Sequence, residues 1–437
     1  MNTARWLLRC SFVVLVMAGL AGGCVSSSEN AQEPDPSTRS ASSAEDGLDL
    51  APQRESVRTV QLYRGEDERS LPVTTLEGGT PLTLEFDLMA EQGRPLSIYF
   101  EHADRTWRRD LTAGQVFESY QDDRLLDYQA SQGTVVPYVH YTYRLPNDDI
   151  RFRVSGNYVL RVTERGRPDS VLFERPFFVA EEAGALELGA EAVVVTGQQV
   201  PSVRPAAQYD PPSDLRGDPF GYSACFVRDG RLGAARCIDR PLLINQPRLT
   251  FELARDRAFA PTEADYTLDL SSLRAGRGIE RTDRTASPIQ VLLEPDYARF
   301  PDADLSTPLN GQTVIRAALR GRGTPALTAE YVSTTFAYVP PREQPLRGGV
   351  TVAGSFSGMR VAEGREMTWR ADRGRYEGEV LLKQGQYQYF YEGGGPQAAA
   401  EMERNLSSRT STYTTFIYYQ DASLGSDRLL RVRSFRE

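Results

Sequence analysis

The chain has 437 residues, enough for two to four domains at the usual length of about 100–200 residues each. Its 50 Lys+Arg and 59 Asp+Glu give a formal charge of −9, which argues against nucleic acid as a partner, because phosphate binding needs a basic surface. A single lysine, Lys383, and two histidines, His102 and His140, are present. Lys383 sits in Leu-Leu-Lys-Gln-Gly, which is not a Walker A loop. His102 is followed by Ala103 and Asp104, which is not His-Glu-x-x-His, and no Gly-x-Ser-x-Gly elbow occurs. The inventory predicts a protein that is not an enzyme, with no catalytic residue, no cofactor and no metal set to assign.

Arg5 and Arg9 precede a mostly apolar run from Leu7 to Leu20, followed by Ala21-Gly-Gly-Cys24. The run is too short for a bilayer that needs about 20 apolar residues, and the layout is that of an export signal over residues 1–23. Leu20-Ala-Gly-Gly-Cys24 resembles a bacterial lipobox, which implies lipid on Cys24 and a membrane anchor through its acyl chains. An ordinary cleaved signal is the alternative. Residues 24–57 are rich in Ser, Ala, Glu, Asp and Pro and bury too little apolar surface to offset ordering entropy, so they predict a flexible tether.

From Thr59 onward the period is two. Thr59–Tyr63, Pro81–Phe86, Leu96–Phe100, Tyr158–Val162 and Val171–Arg175 are short β-branched or aromatic runs separated by Gly, Pro, Asn and Asp, the pattern of strands. Asp110–Tyr120 and Glu181–Gly189 are the best helical stretches. Cys225 and Cys237 flank the turn dipeptide Asp229-Gly230, so a hairpin there sets them opposite each other. A disulfide is expected after export, with two buried free thiols as the alternative. Pro340-Pro-Arg-Glu-Gln-Pro345 reads as a stiff linker. Strands follow at Gly349–Gly354, Arg375–Leu382, Tyr387–Tyr391 and Thr412–Tyr419. Such spacing suggests sandwiches.

Three polar and aromatic constellations stand out. Tyr99–Trp107 places His102, Asp104 and Trp107 just past a strand end; a sandwich edge with Trp107 in the core is favoured over a ligand loop. In Pro137–Pro146, Tyr138, His140 and Thr142 face one way and Val139, Tyr141 and Tyr143 the other. One face is core. The other is either covered or an exposed aromatic stripe, and aromatics are enriched at interfaces. Trp107, Tyr138, His140, Tyr141 and Tyr143 are therefore the interface candidates. Asn147-Asp-Asp149 lies where turn residues are common and reads as a turn rather than an acid–base pair.

Leu84-Glu-Phe-Asp87, His102-Ala-Asp-Arg-Thr-Trp107, Tyr120–Tyr128, Tyr138, His140-Tyr141, Leu145-Pro-Asn147 and Ser155-Gly-Asn-Tyr158, in that order, resemble the N-terminal domain of the type IX secretion system plug proteins of Bacteroidota. Tyr266–Arg274, Leu309-Asn-Gly311 and Ala329-Glu-Tyr331, then Gly354-Ser-Phe356, Tyr376-Glu-Gly378 and Leu381-Leu-Lys-Gln-Gly385, continue the likeness more faintly. The family's histidine near position 102 is commonly followed by Cys, where this chain has Ala103.

The resemblance implies a non-enzymatic periplasmic subunit whose partner is a large outer-membrane β-barrel translocon. The expected location is the cell envelope, as an outer-membrane lipoprotein on the periplasmic side. The last domain also resembles the glycogen-binding early-set sandwiches through Val352–Phe356 and Tyr387-Gln-Tyr389. Ser357-Gly-Met359 stands where those modules carry Asn-x-Trp, so a glycan partner is disfavoured, and a carbohydrate-binding lipoprotein is the alternative. The expected fold is all-β: three consecutive immunoglobulin-like or early-set-like β-sandwich domains, at 58–182, 183–341 and 342–437.

Overall fold

The computed structural model describes residues 48–437 except 195–200, 246, 261–264, 298–307, 319–322, 396–397, 399–401 and 403–409. The expected export signal over residues 1–23 and the expected lipid site Cys24 lie outside the described residues. The fold is all-β, with one-turn helices at Ala113–Val116 and Pro325–Thr328.

The first sandwich spans the region of the sequence resemblance. Its outer sheet runs Val57–Arg64, Leu82–Leu88, Val139–Leu145, Tyr128–Ala130, and its inner sheet Val73–Thr75, Arg167–Ala180, Gly156–Glu164, Leu96–Ala103, Asp122–Leu125. Alternate side chains of the two sheets meet in one core, including Leu84, Phe86 and Tyr141 from the outer sheet and Ile98, Leu160 and Phe173 from the inner. Phe86 stacks on Tyr141 at 4.8 Å.

The inner sheet is buried on its other face too. In Gly156–Glu164, Tyr158, Leu160 and Val162 enter the first core, while Val159 enters a second with Trp107, Phe178, Cys225, Phe416, Tyr418 and Leu429. That second core lies against a bridging sheet ordered Arg236–Ile238, Tyr222–Arg228, Thr412–Asp421, Ser426–Arg436. The bridging sheet is likewise two-sided. Cys225 and Val227 face the first sandwich, and Tyr222, Ala224 and Phe226 face a far sheet of Ala185–Val193, Ser202–Asp210, Arg248–Glu252 and Leu243–Asn245. Four sheets thus stack with three cores between them. Strands buried on both faces read as continuous apolar runs rather than alternating ones.

Residues 266–402 form a separate sandwich around its own core. One sheet contains Tyr266–Asp269, Gly385–Gly393, Val350–Gly354 and Arg365–Glu366, with Val314–Ile315 also on Gly385–Gly393. The other contains Ile279–Asp283, Ile289–Leu293, Tyr331–Val339, Arg375–Lys383 and Thr368–Arg370.

Three expectations need correction. The end of the tether expected over 24–57 is docked on the first sandwich: Leu50 is buried in the second core, the Ala51 amide donates to Glu174 at 2.8 Å, and Val57 opens the first strand, because Leu48 and Leu50 supply apolar surface that the rest of the segment lacks. The boundaries 183–341 and 342–437 do not follow the hydrogen bonding. Tyr222–Arg228 pairs with Thr412–Asp421 through seven consecutive residues, and Tyr331–Val339 pairs with Arg375–Lys383 across the Pro340–Pro345 segment. The middle sandwich is therefore discontinuous, and residues 266–402 are inserted in it. Pro340–Pro345 turns a corner inside one sandwich. Glu181–Gly189, expected as helix, contributes to the strand Ala185–Val193, which pairs residue for residue with Ser202–Asp210. Leu186 and Leu188, two apart, pack against the same core, so sheet pairing overrides a weak helical preference.

Candidate functional site

The strongest chemical constellation sits between the first sandwich and the inserted one. Asp87 and His140 are cross-strand partners in the outer sheet. Tyr331 and Lys383 are cross-strand partners in the inserted sandwich. The two pairs meet. Lys383 Nζ lies 2.7 Å from Asp87 Oδ2 and donates to the Ala326 carbonyl at 2.6 Å. It also sits 4.1 Å from the Tyr138 ring centroid, a cation–π distance. Tyr331 donates its hydroxyl to Asp87 Oδ2 at 2.7 Å. His140 Nδ1 is 2.8 Å from Asp87 Oδ1, and its Nε2 is 3.5 Å from Glu85. Lys383 is 1 % exposed and Asp87 0 %.

Charges this deep survive only when paired and hydrogen-bonded, and their titration reflects that balance. Burial pushes Asp87 up, but the Lys383 charge and the His140 hydrogen bond outweigh it and hold the carboxyl below its ordinary value. Burial pulls Lys383 down, and the Asp87 charge recovers only part of that.

Further polar contacts extend the joint. Glu330, also buried, accepts from the Val135 amide at 2.6 Å and the Val136 amide at 3.1 Å. Tyr138 donates to the Ala326 and Ala329 carbonyls, each at 3.0 Å. Gln61 donates to the Thr313 carbonyl at 2.8 Å, and Glu68 receives the Ile315 amide at 2.7 Å.

A second joint ties the first sandwich to the bridging sheet. His102 Nδ1 lies 2.7 Å from Asp110, whose other oxygen accepts from Ser426. Burial raises Asp110, and the hydrogen bonds of His102 and Ser426 bring it below the ordinary value. Tyr418 donates to Asn157 at 2.8 Å. Glu181 makes two 2.7 Å contacts with the Arg428 guanidinium, the bidentate geometry that makes such pairs strong.

These placements settle where the five aromatic and histidine candidates lie. Trp107 is buried against Phe178 at 5.4 Å, inside the contact with the bridging sheet. Tyr138 and His140 are buried in the contact with the inserted sandwich. Tyr141 and Tyr143 are buried in the first core. None forms an exposed stripe: Val139, Tyr141 and Tyr143 lie in the first core and Tyr138 and His140 lie under the inserted sandwich, while Arg144 on that second face stays exposed. His102 and His140 serve different joints, and among the described residues no group of three or more His, Cys, Asp or Glu is placed to hold a metal. Cys225 and Cys237 are register partners joined by a disulfide. Asn147 accepts the amides of Asp149 and Ile150, so this segment is a turn. Trp369 packs edge-on against Tyr376 at 5.0 Å.

A lysine, a carboxylate, a histidine and a tyrosine in contact are the raw materials of acid–base chemistry, yet here they are sealed between two sandwiches. What the arrangement does is hold bodies together. Sequence reasoning missed this role for Lys383. Its rarity was a visible signal; its partner, 296 residues away, was not.

Residues 57–181 match the family model for the type 9 secretion system plug protein first domain. No match was found among curated proteins. Among solved structures, a crystal structure of a hypothetical protein from Parabacteroides merdae superposes with a TM-score of 0.77 at 23 % identity, covering 89 % of this chain and 99 % of that one. The likeness is one of fold. A partial N-terminal region of an enterococcal surface protein aligns at 6 % identity over 90 % of this chain and 98 % of that one, with a TM-score of 0.17, too low to carry an argument.

Proposed function

We propose that this chain, whose residues 57–181 carry the first domain of the type 9 secretion system plug proteins, is a plug subunit that binds and closes the periplasmic opening of the system's outer-membrane translocon. The family match is the observation that carries the reading. The family is a secretion-system family of the cell envelope, not an enzyme family, and the work ascribed to the chain here is steric.

A steric plug has to resist deformation, and the fold is suited to that. Close-packed protein interiors transmit strain rather than absorb it, and the buried Lys383–Asp87 and bidentate Glu181–Arg428 contacts tie the sandwiches to one another. With the aromatic candidates consumed internally, the proposed barrel contact falls on exposed polar surface and on exposed apolar side chains such as Tyr120, Leu126 and Phe220. Lipid on Cys24 is the proposed anchor, with the body on the periplasmic side.

The test is a mild-detergent pull-down from the native organism's membranes with a C-terminal tag, read by mass spectrometry. The proposal expects a barrel protein of very large mass in the eluate and increased dye permeability when the gene is deleted. Recovery of sugar-uptake components instead, with unchanged permeability, would falsify it.

A further inference from the structure

A cleft of about 310 Å³ opens between the first sandwich and the inserted one, beside the Lys383 joint. Neither Lys383 nor Asp87 lines it. Four arginines do: Arg58, Arg175, Arg360 and Arg365. Three glutamates share the lining, and one of them is paired with a cation. Glu363 pairs with Arg360 at 3.1 Å, and Glu379 accepts the Ser333 hydroxyl. Glu55 is exposed.

Among the described residues the other three guanidiniums make no ion pair. Among the described residues the Arg58 side chain has no ion pair, and its Nε is shut off from solvent without an acceptor. Arg175 is half-buried and spends its donors on neutral oxygens, the Glu174 carbonyl at 2.8 Å and the Gln53 amide. Arg365 stands exposed at the edge. Ser355 Oγ accepts from the Gln388 amide at 3.3 Å, which leaves its own proton to give.

The backbone is shaped at the same place. The register of Val57–Arg64 on Leu82–Leu88 shifts between Arg58 and Gln61, and Thr59 holds a φ of 51°. A bulge re-aims the side chain beside it, and positive φ at a β-branched residue persists only where the surroundings over-determine it. Here the Thr59 hydroxyl is fixed to Tyr331 at 2.6 Å.

Burial, and after it the Arg360 charge, pull the Arg175 pKa down, and the Glu363 charge offsets only part of that. Both effects mark a cation in want of a counter-charge. Guanidiniums present a planar fork of donors suited to oxyanions, and bonds from them to charged oxygens are about twice as strong as neutral ones.

We propose that this cleft binds a phosphate-type oxyanion, held by Arg58, Arg175 and Arg365 with the Ser355 hydroxyl. Four guanidiniums against three carboxylates leave the lining net positive. The shared chemistry fits free phosphate and the phosphate of a lipid headgroup alike.

The full chain, purified in mild detergent, is titrated with inorganic phosphate by calorimetry at constant ionic strength, and separately floated with vesicles of phosphatidylcholine with or without phosphatidic acid. Saturable heat with phosphate, at least tenfold weaker in Arg175→Gln and in Arg58→Gln, supports the proposal with a free ligand. Flotation that needs phosphatidic acid and is lost in the same variants supports it with a lipid source. Arg365→Gln, at an exposed position, keeps the test alive if the other variants fold poorly, and a several-fold loss of affinity is expected of it. Binding of acetate as tight as phosphate, absence of both signals, or signals unchanged in all three variants overturns the proposal.

Discussion

Lys383 Nζ and Asp87 Oδ2 are 2.7 Å apart although 296 residues separate them along the chain. The one lysine of the sequence is thereby committed to joining the first sandwich to the inserted one. Removing one member of a buried pair strands the other's charge, which costs about 3–5 kcal/mol, whereas replacing both with apolar groups is often near neutral. Lys383→Met is expected to lower unfolding stability by that amount, and Lys383→Met combined with Asp87→Leu to recover much of it. Urea unfolding of both variants checks this. A loss under about 1 kcal/mol for the single change would mean that the joint holds nothing.

The same cluster predicts a pH dependence. Burial pulls His140 down, but hydrogen bonds with Asp87 and Glu85 outweigh it and the repulsion of Lys383, so its folded pKa lies above the ordinary value. The stability it contributes is full below the unfolded pKa of about 6.5 and fades as pH rises through the folded value. Asp87 and Glu85 are both held low, so their contributions are present above about pH 4 and fade as pH falls through the folded values. The melting-temperature gap between the wild type and His140→Gln is expected to be wider at pH 6 than at pH 9. Equal gaps at the two pH values would remove His140 from the balance.

Much of this fold was legible because strand periodicity is local. Thr59–Tyr63, Leu96–Phe100, Arg375–Leu382 and Thr412–Tyr419 are all strands, and the 58–182 span of the first sandwich closes on itself. The Asp229-Gly230 turn announced the hairpin that sets Cys225 against Cys237. Pairing across long distances carries no such signal: nothing local to Thr412–Tyr419 names Tyr222–Arg228 as its neighbour, so the insertion of residues 266–402 was invisible. The aromatic strand 139–145 was legible as two-sided, but sequence does not say whether the cover comes from the same chain or a partner. Lys383 looked inert because Leu-Leu-Lys-Gln-Gly brings no charged group beside it, while Asp87, Tyr138 and Tyr331 come from elsewhere.

Gly156 lies where the His102 ring packs against the strand start. A Cβ at position 156 would fall 2.3 Å from His102 Nε2, and the backbone φ there is +153°. His102 is anchored to Asp110 and buried, so it has little room to give. Gly156→Ala is expected to cost about 1–3 kcal/mol, the usual range for overpacking, and to disturb the bond between Asp110 and Ser426. Thermal unfolding measures the loss, and Gly189→Ala, at a glycine with open space around it, is the control expected to change little.

The disulfide closes a short loop, its cysteines being 12 residues apart. A loop of that size is worth about 2–3 kcal/mol in the chain-entropy model. Because Cys225 also packs in the core between the bridging sheet and the first sandwich, the double change Cys225→Ala and Cys237→Ala adds a small cavity term to the lost constraint. Oxidised and reduced wild type, compared by guanidinium unfolding, isolate the constraint alone. Identical midpoints in the two redox states would show that the bridge contributes no stability.

The discontinuous middle sandwich makes a prediction about fragments. Residues 342–437 alone lack Tyr331–Val339, the neighbour of Arg375–Lys383, and Tyr266–Asp269, which pairs with Gly385–Gly393. They also lack Tyr222–Arg228, the neighbour of Thr412–Asp421. Three strands then have an open edge and three cores are cut, so this piece is expected to unfold without a cooperative transition. The opposite excision should be tolerated. The Phe259 and Tyr413 rings, on either side of the inserted sandwich, are 5.6 Å apart, and insertions whose ends lie close together are the ones that domains accommodate. Replacing residues 265–408 by a short Gly-Ser linker is expected to leave the four stacked sheets cooperatively folded, less stable by the loss of the Lys383 joint. Circular dichroism melts of the two fragments decide the matter: a sharp transition for 342–437 and none for the excised chain would reverse the domain assignment.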